Sequence, residues 1–262
     1  MTLLQVRNLT ATFARSARPV VNRVSFDIAP GEAVGFVGES GSGKSVTARA
    51  IMRLAPEGSS IAWGGQILFD GRDLLAIPER DMGNIRGRRI AMVFQDPMSS
   101  LNPVMSVGAQ IDDMLIRHTG ATRHAARKRT IDLLGLVGIR DPAARADDHP
   151  HHFSGGMRQR VMIAMAVSCA PDLLIADEPT TALDVTVQAQ ILRLLLRLQR
   201  ELGMALMLIT HDFGVIAGMV ERVHVMNGGE IVESGEIDAL FAHPQHPYTS
   251  ALLDAVPRLD RA

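Results

Sequence analysis

Several residue types are scarce in this chain, and each scarcity narrows the options. Cysteine occurs once in 262 residues, as Cys169, which excludes an internal disulfide framework and suits a reducing compartment. Its neighbours Ala166, Val167 and Ala170 are apolar, so Cys169 reads as a small core residue. No apolar run is long. The longest, Val161 to Ala170, is about half of the roughly 20 residues a membrane span requires. Met1 to Thr10 lacks a basic start followed by an apolar run, so no signal peptide is expected. Net charge is almost absent, at −1 from 27 basic and 28 acidic residues, which gives no electrostatic footprint for nucleic acid. The basic run Arg123, His124, Arg127, Lys128 and Arg129 has no aromatic residue interleaved and reads as a solvated helix face. Mean hydropathy is nevertheless high, at +0.12. Parallel strands buried on both faces account for that, and so does docking to a membrane partner.

Lysine is also scarce. Only Lys44 and Lys128 stand among 27 basic residues. A chain that otherwise chooses arginine keeps a lysine in Gly38-Glu39-Ser40-Gly41-Ser42-Gly43-Lys44-Ser45, a phosphate loop, where a slim ammonium fits and a planar guanidinium fork does not. The loop follows the apolar strand Ala33 to Val37 and precedes a helix from Ser45 to Leu54 that ends near Pro56, the context such a loop requires. Its glycines let backbone N–H groups converge on phosphate oxygens. The helix adds the positive end of its dipole. Lys44 then reaches the β- and γ-phosphates, and Ser45 binds Mg²⁺.

The rest of the chain reads as strands alternating with helices. Leu3 to Val6 and Val24-Phe26-Ile28 have period two. Ile67-Leu68-Phe69, Ile90 to Phe94, Leu173 to Ala176 and Ala205 to Ile209 are apolar, and further strands are expected near Val223 and Ile231. Val107 to His118, Thr122 to Val137 and Gly155 to Ser168 read as helices. Val187, Ile191, Leu194, Leu195, Leu198 and Leu202 recur at helical spacing opposite Arg193, Arg197 and Arg200. This is the pattern of an α/β fold with a mostly parallel sheet. Antiparallel strands stand at its N-terminus, and a helical insertion begins near Pro97. A polar tail follows from His243.

Asp177-Glu178 ends a buried strand and so emerges at the carboxyl end of the sheet, where ligands bind in open α/β folds. Asp177 is expected to hold Mg²⁺ through water, and Glu178 to act as general base on the attacking water. His211 ends another apolar strand and is expected to contact the γ-phosphate. Gln95 follows strand Ile90 to Phe94; its amide is expected to ligate Mg²⁺ or water and to report nucleotide state to the helical insertion. Phe153-Ser154-Gly155-Gly156-Met157-Arg158-Gln159 opens a helix with a hydroxyl and backbone N–H groups, a second anion site. One triphosphate needs only one such loop. The second therefore points to a pocket closed by another molecule.

Together these motifs, over nearly the whole chain, resemble the nucleotide-binding subunits of ATP-binding cassette transporters. The resemblance implies a P-loop NTPase (RecA-like) core at residues 1–96 and 160–242, a helical signature subdomain at 97–159 and a tail at 243–262. It makes Gly38 to Ser45, with Val46, the Walker A loop, Phe13 the residue stacked on adenine, and Gln95 the Q-loop glutamine. Ser154 to Gln159 are the signature that faces a partner's ATP. Ala182-Leu183-Asp184 is the D-loop, and His211 the switch histidine. Lys44, Glu178 and His211 form the catalytic set, and Ser45, Gln95 and Asp177 the Mg²⁺ ligands.

The stretch from Phe94 to Pro103, the signature from Phe153 to Arg160, and His246-Pro247-Tyr248-Thr249 followed by Leu252-Leu253 resemble the peptide-importer branch. That branch includes dipeptide, oligopeptide, glutathione and nickel systems. The resemblance implies an ATPase at the cytoplasmic face of the inner membrane, working with a second, non-identical ATPase, two permease subunits and, indirectly, an extracytoplasmic solute-binding protein. No nucleic acid is expected. The chain ends at Ala262 without the cysteine-rich tail of longer relatives, so no iron–sulfur cluster is expected. That short tail is similar to nickel-type members. His149, His151 and His152 sit in a loop and are not expected to bind metal. Two rival readings are a soluble cassette ATPase and a small-molecule kinase. The first lacks the second cassette or coiled-coil insertion such proteins usually carry, and the second leaves Ser154-Gly155-Gly156 without a role.

Overall fold

The computed structural model describes residues 2–14, 16, 18–55, 58–96, 100–181 and 183–255. Pro56, Pro97, Met98, Ser99 and Ala182, on which parts of the expected motifs fall, lie outside them. In chain order the strands are β1 (Leu4–Phe13), β2 (Val21–Ile28), β3 (Ala33–Val37), β4 (Ile61–Phe69), β5 (Arg72–Asp73), β6 (Ile90–Val93), β7 (Leu173–Asp177), β8 (Ala205–Thr210), β9 (Arg222–Asn227) and β10 (Glu230–Glu236). The helices are α1 (Lys44–Ile51), α2 (Glu79–Gly83), α3 (Val107–Thr119), α4 (Arg123–Leu136), α5 (Pro142–Arg145), α6 (Gly155–Val167), α7 (Val185–Leu202), α8 (Phe213–Ile216), α9 (Ile237–Ala242) and α10 (Pro247–Asp254). They gather into two compact units, residues 1–79 with 205–262, and residues 80–204.

The first unit holds an antiparallel sheet in the order β2, β1, β4, β5. Its first strand outruns the expected Leu3 to Val6 because period two breaks at Arg7-Asn8. There the pairing with β2 slips from Val6–Phe26 to Leu9–Val24. Asn8 takes φ +47°, and its N–H donates to Ser25 Oγ at 2.8 Å. Opposite, Gly65 sits at φ +86°, and a Cβ there would lie 2.4 Å from Asn8 O. The bulge thus demands glycine on the neighbouring strand.

The same unit carries three parallel strands with β3 in the middle, paired to β8 (Ala33–Leu206 through Val37–Thr210) and to β9 (Val34–Arg222 through Val37–Val225). Both β3 and β8 are buried throughout, as parallel strands covered on both faces must be. Phe36 is fully buried and packs edge-on against Phe26 at 4.8 Å; a side chain of that size contributes about 1.5–3 kcal/mol on burial. Strand β10 returns antiparallel to β9 through Gly228 and Gly229, both at positive φ.

The described part of the expected polar tail, residues 243–255, is more ordered than its composition suggests. It contains α10, opened by Pro247 at the first helical position and by His246 Nδ1, which accepts from the Tyr248 N–H at 3.2 Å. Proline costs nothing there, because its missing N–H has no intrahelical partner.

The second unit pairs β6 with β7 in parallel, from Ile90–Leu173 to Val93–Ala176, and is otherwise helical. Each long helix starts on an oxygen acceptor: Ser106 for α3, Thr122 for α4, Ser154 for α6 and Asp184 for α7. Such caps are each worth about 1 kcal/mol. Helices α3 and α7 end on Gly120 and Gly203 in the left-handed region. Helix α7 buries Ile191, Leu194, Leu195 and Leu198 and exposes Arg193, Arg197 and Arg200, as its periodicity requires. On α4, Arg123, His124, Lys128 and Arg129 are exposed, whereas Arg127 is drawn inward to Asp112 and Asp147 at 3.3 and 3.1 Å. Cys169 is half-buried rather than fully enclosed, and burial raises its thiol pKa. No described helix is long and apolar enough to cross a membrane.

Candidate nucleotide site

In the first unit, β3 delivers the chain into the loop at Gly38. A Cβ at Gly38 would lie 2.1 Å from Met226 O, a backbone atom that cannot move aside. Gly43 sits at φ +102°, and a Cβ there would lie 2.9 Å from Val20 O. These two glycines let the loop press against its neighbours while it turns. Within it, Ser42, Gly43 and Lys44 are buried, Ser45 and Val46 are half-buried, and Glu39, Ser40 and Gly41 are exposed. Lys44 is 3 % exposed; its Nζ donates to Gly38 O at 2.6 Å, Glu39 O at 2.8 Å and Ser42 Oγ at 3.2 Å. The loop's own oxygens thus hold the ammonium in place. Gly43 caps α1 without a side-chain acceptor, so the first N–H groups of the helix are not covered by a capping side chain. A buried cation beside a helix N-terminus is an anion receptor.

The same unit places Phe13, half-buried, at the end of β1, and His211, exposed, one residue beyond β8. It also brings in a residue that the motif reading does not assign to the site. The Glu39 N–H donates to Tyr248 Oη at 2.9 Å.

In the second unit, Asp177 ends β7 with 3 % exposure. Glu178 follows at φ +47°, a left-handed conformation that a residue with a Cβ adopts at a cost of about 1–3 kcal/mol. Two donors converge on one of its oxygens: Gln95 Nε2 at 3.1 Å and Thr181 Oγ1 at 3.0 Å to Oε2. Gln95 and Glu178 therefore meet across 83 residues of sequence. Nothing in its local sequence marks Thr181 for this role.

The signature residues lie in the same unit. Ser154 and Gly155 are exposed, and Ser154 Oγ accepts from the Met157 N–H at 3.3 Å. Gly156 lies against α7; a Cβ on it would fall 2.6 Å from Val187 Cγ1. Asp184 Oδ1 in turn accepts from the Val187 N–H at 2.9 Å. The start of the signature helix and the D-loop aspartate are thereby packed as one piece. Met157 and Arg158 are half-buried, Arg158 Nε donating to Pro150 O at 2.8 Å, while Gln159 is buried at 1 % exposure. Asp184 is exposed, and Val185 beside it is 82 % exposed. His151 and His152 meet edge to face at 4.1 Å between ring centroids, with His152 Nδ1 3.8 Å from Asp148.

Comparison with known proteins agrees with this geometry. Residues 21–181 match the ABC transporter family model, and residues 232–262 match the model for the C-terminal region of oligopeptide/dipeptide transporters. The chain is 51 % identical over 260 residues to the oligopeptide transport ATP-binding protein OppD of Bacillus subtilis, covering 98 % of this chain and 73 % of that protein. It is 51 % identical over 264 residues to the dipeptide transport ATP-binding protein DppD of Escherichia coli, covering 98 % and 79 %. Among solved structures, the post-hydrolysis dimer of the ATP-binding cassette MJ0796 bound to ADP and Pi superposes with a TM-score of 0.78 at 28 % identity, over 89 % of this chain and 98 % of that one. The chain belongs to the ABC transporter family of ATP-binding cassettes. Its fold is that of a P-loop NTPase with an antiparallel N-terminal sheet and added helices. ATP is the nucleotide such a cassette binds.

Proposed function

We propose that this chain is the ATP-hydrolysing subunit of an importer for dipeptides or oligopeptides. One observation carries the reading. A buried phosphate-loop lysine occurs in the same chain as a C-terminal region of peptide-transporter type. The relatives OppD and DppD, named for oligopeptide and dipeptide transport, support the substrate class over nickel or glutathione.

In this reading Lys44, with the N–H groups from Gly38 to Val46, binds the phosphates, and Phe13 stacks on the adenine. The hydroxyl of Ser45, the amide oxygen of Gln95 and the carboxylate of Asp177, the last through water, suit a hard cation that prefers oxygen ligands. Mg²⁺ held there would supply charge neutralisation for the transferred phosphoryl group. Glu178 takes a proton from water as the water oxygen bonds to the γ-phosphorus and the bond to the β–γ bridging oxygen breaks, leaving ADP and phosphate. The amide of Gln95 and the hydroxyl of Thr181 fix the Glu178 carboxylate, so that its orientation depends on the loop after β6. His211 contacts the departing phosphate.

Ser154 to Gln159 and Asp184 would serve the ATP of a second, non-identical cassette subunit, and the helical residues 97–159 would carry the motion to two permease subunits at the inner membrane. Reconstitution in vesicles with the companion ATPase, permeases and solute receptor tests this. ATP-dependent peptide accumulation that Glu178→Gln abolishes is expected. Import of nickel or glutathione in place of peptide would contradict the substrate assignment.

A further inference from the structure

The C-terminal segment does more than follow the cassette; it touches the phosphate loop. The contact falls on one peptide unit. The Gly38 carbonyl accepts from Lys44 Nζ at 2.6 Å, and the N–H of the same unit, on Glu39, donates to Tyr248 Oη at 2.9 Å. A trans peptide is planar, so its C=O and N–H point in opposite directions and rotate together. Holding the N–H therefore sets the direction of the carbonyl that holds Lys44. We infer that Tyr248 is a positioning residue for nucleotide binding: it locks the Gly38–Glu39 peptide plane and, through it, the phosphate-loop lysine.

The tyrosine is itself held. Glu233 on β10 accepts from the Gln245 N–H at 2.8 Å and the His246 N–H at 3.0 Å. His246 Nδ1 accepts from the Tyr248 N–H at 3.2 Å. Strand β10 pairs with β9, whose Met226 carbonyl faces Gly38. One pair of strands thus anchors the segment and backs the loop it braces. Burial would raise the Glu233 carboxyl, but the Gln245 amide first, then the Thr249 side chain and the His246 amide, outweigh it and hold its pKa below the usual range, so the anchor stays ionised at neutral pH. The segment reaches the loop through a hydroxyl on the only tyrosine of the chain.

The inference rests on the reading of Gly38 to Ser45 as the ATP phosphate loop, and the test separates the two. ATP affinity of the full chain is measured by calorimetry for Tyr248→Phe, Glu233→Ala, the double variant and Lys44→Ala. Removing one hydrogen bond should weaken ATP binding about three- to tenfold in Tyr248→Phe. The melting temperature should stay unchanged, and the loss should appear in KM rather than kcat. Glu233→Ala should weaken binding by a similar factor, and the double variant should be no weaker than either single change, because both act through one contact. Lys44→Ala should lose far more. Unchanged or tighter ATP binding in Tyr248→Phe, with Lys44→Ala defective, would overturn the inference and spare the loop assignment. Full affinity in Lys44→Ala would overturn both.

Discussion

The two elements proposed to bind the anionic nucleotide are built to opposite standards. The phosphate loop is finished from within. Lys44 is buried, its ammonium donates to three oxygens of the loop, and the flanking Gly38 peptide is held from both sides. The signature element is left open. Ser154 and Gly155 are exposed, and the D-loop aspartate packed with them is exposed beside an almost fully exposed valine. Exposed large apolar residues are ordinary singly, but this one stands next to the open signature. One binding element complete within the chain and another that presents itself to an outside surface are what a shared nucleotide pocket would leave in one of its two owners.

The largest effect should come from Glu178→Gln. It keeps the shape and the neighbours Gln95 and Thr181 but removes the base, so turnover should fall about 10²–10⁴-fold with ATP affinity retained. Steady-state ATPase assays with a parallel binding measurement check this; undiminished hydrolysis would remove Glu178 from the mechanism.

A second difference lies in acid sensitivity, and it belongs to the first unit. His224 is buried against Phe26 and Phe36, with Nδ1 2.7 Å from Ser234 Oγ. Burial first, then the charge of Arg222, lowers its pKa to about 4 against the opposing pull of Asp27. The unfolded chain takes up a proton near pH 6.5 that the folded chain refuses until about pH 4. Stability is therefore full above about pH 6.5 and falls as pH drops through that window, by about 3 kcal/mol at its lower end. Denaturant titrations at about pH 7 and pH 4.5 should show the loss, and His224→Leu should shrink it.

Lys44→Ala should weaken ATP binding about 10- to 100-fold, the value of charge-assisted hydrogen bonds to phosphate. The glycines offer a finer distinction. Gly156→Ala sets a methyl group 2.6 Å from Val187 Cγ1, overpacking worth about 1–3 kcal/mol that Val187→Ala should relieve. Gly38→Ala meets backbone at 2.1 Å, and no second substitution should rescue it. Thermal melts of the single and double variants measure the contrast.

The parts of the site that are legible in the sequence are those whose meaning is local. The phosphate loop, the acidic pair after β7 and the serine that caps α6 each declare themselves within a short stretch, since glycines, a lysine and a preceding apolar strand suffice. What escapes is non-local or breaks its own pattern. Tyr248 and Glu39 are 209 residues apart, and no periodicity joins them. Thr181 matters through where its hydroxyl points. Strand β1 reads short because the bulge at Asn8 interrupts the alternation, and α10 reads as polar tail because a histidine and a proline open it. The apolar strands and the arginine-faced helix α7 are plain in the sequence, because burial on both faces or on one stripe leaves a signal that does not depend on partners far away.

Shared ownership of the nucleotide is the central claim, and the mass of the assembled species tests it most directly. Glu178→Gln chain, mixed with its companion cassette subunit, Mg²⁺ and ATP, should sediment as a two-cassette particle. It should revert to single chains without nucleotide, or when Ser154→Arg blocks the signature. A preparation that holds ATP yet stays monomeric with the companion present would contradict the account.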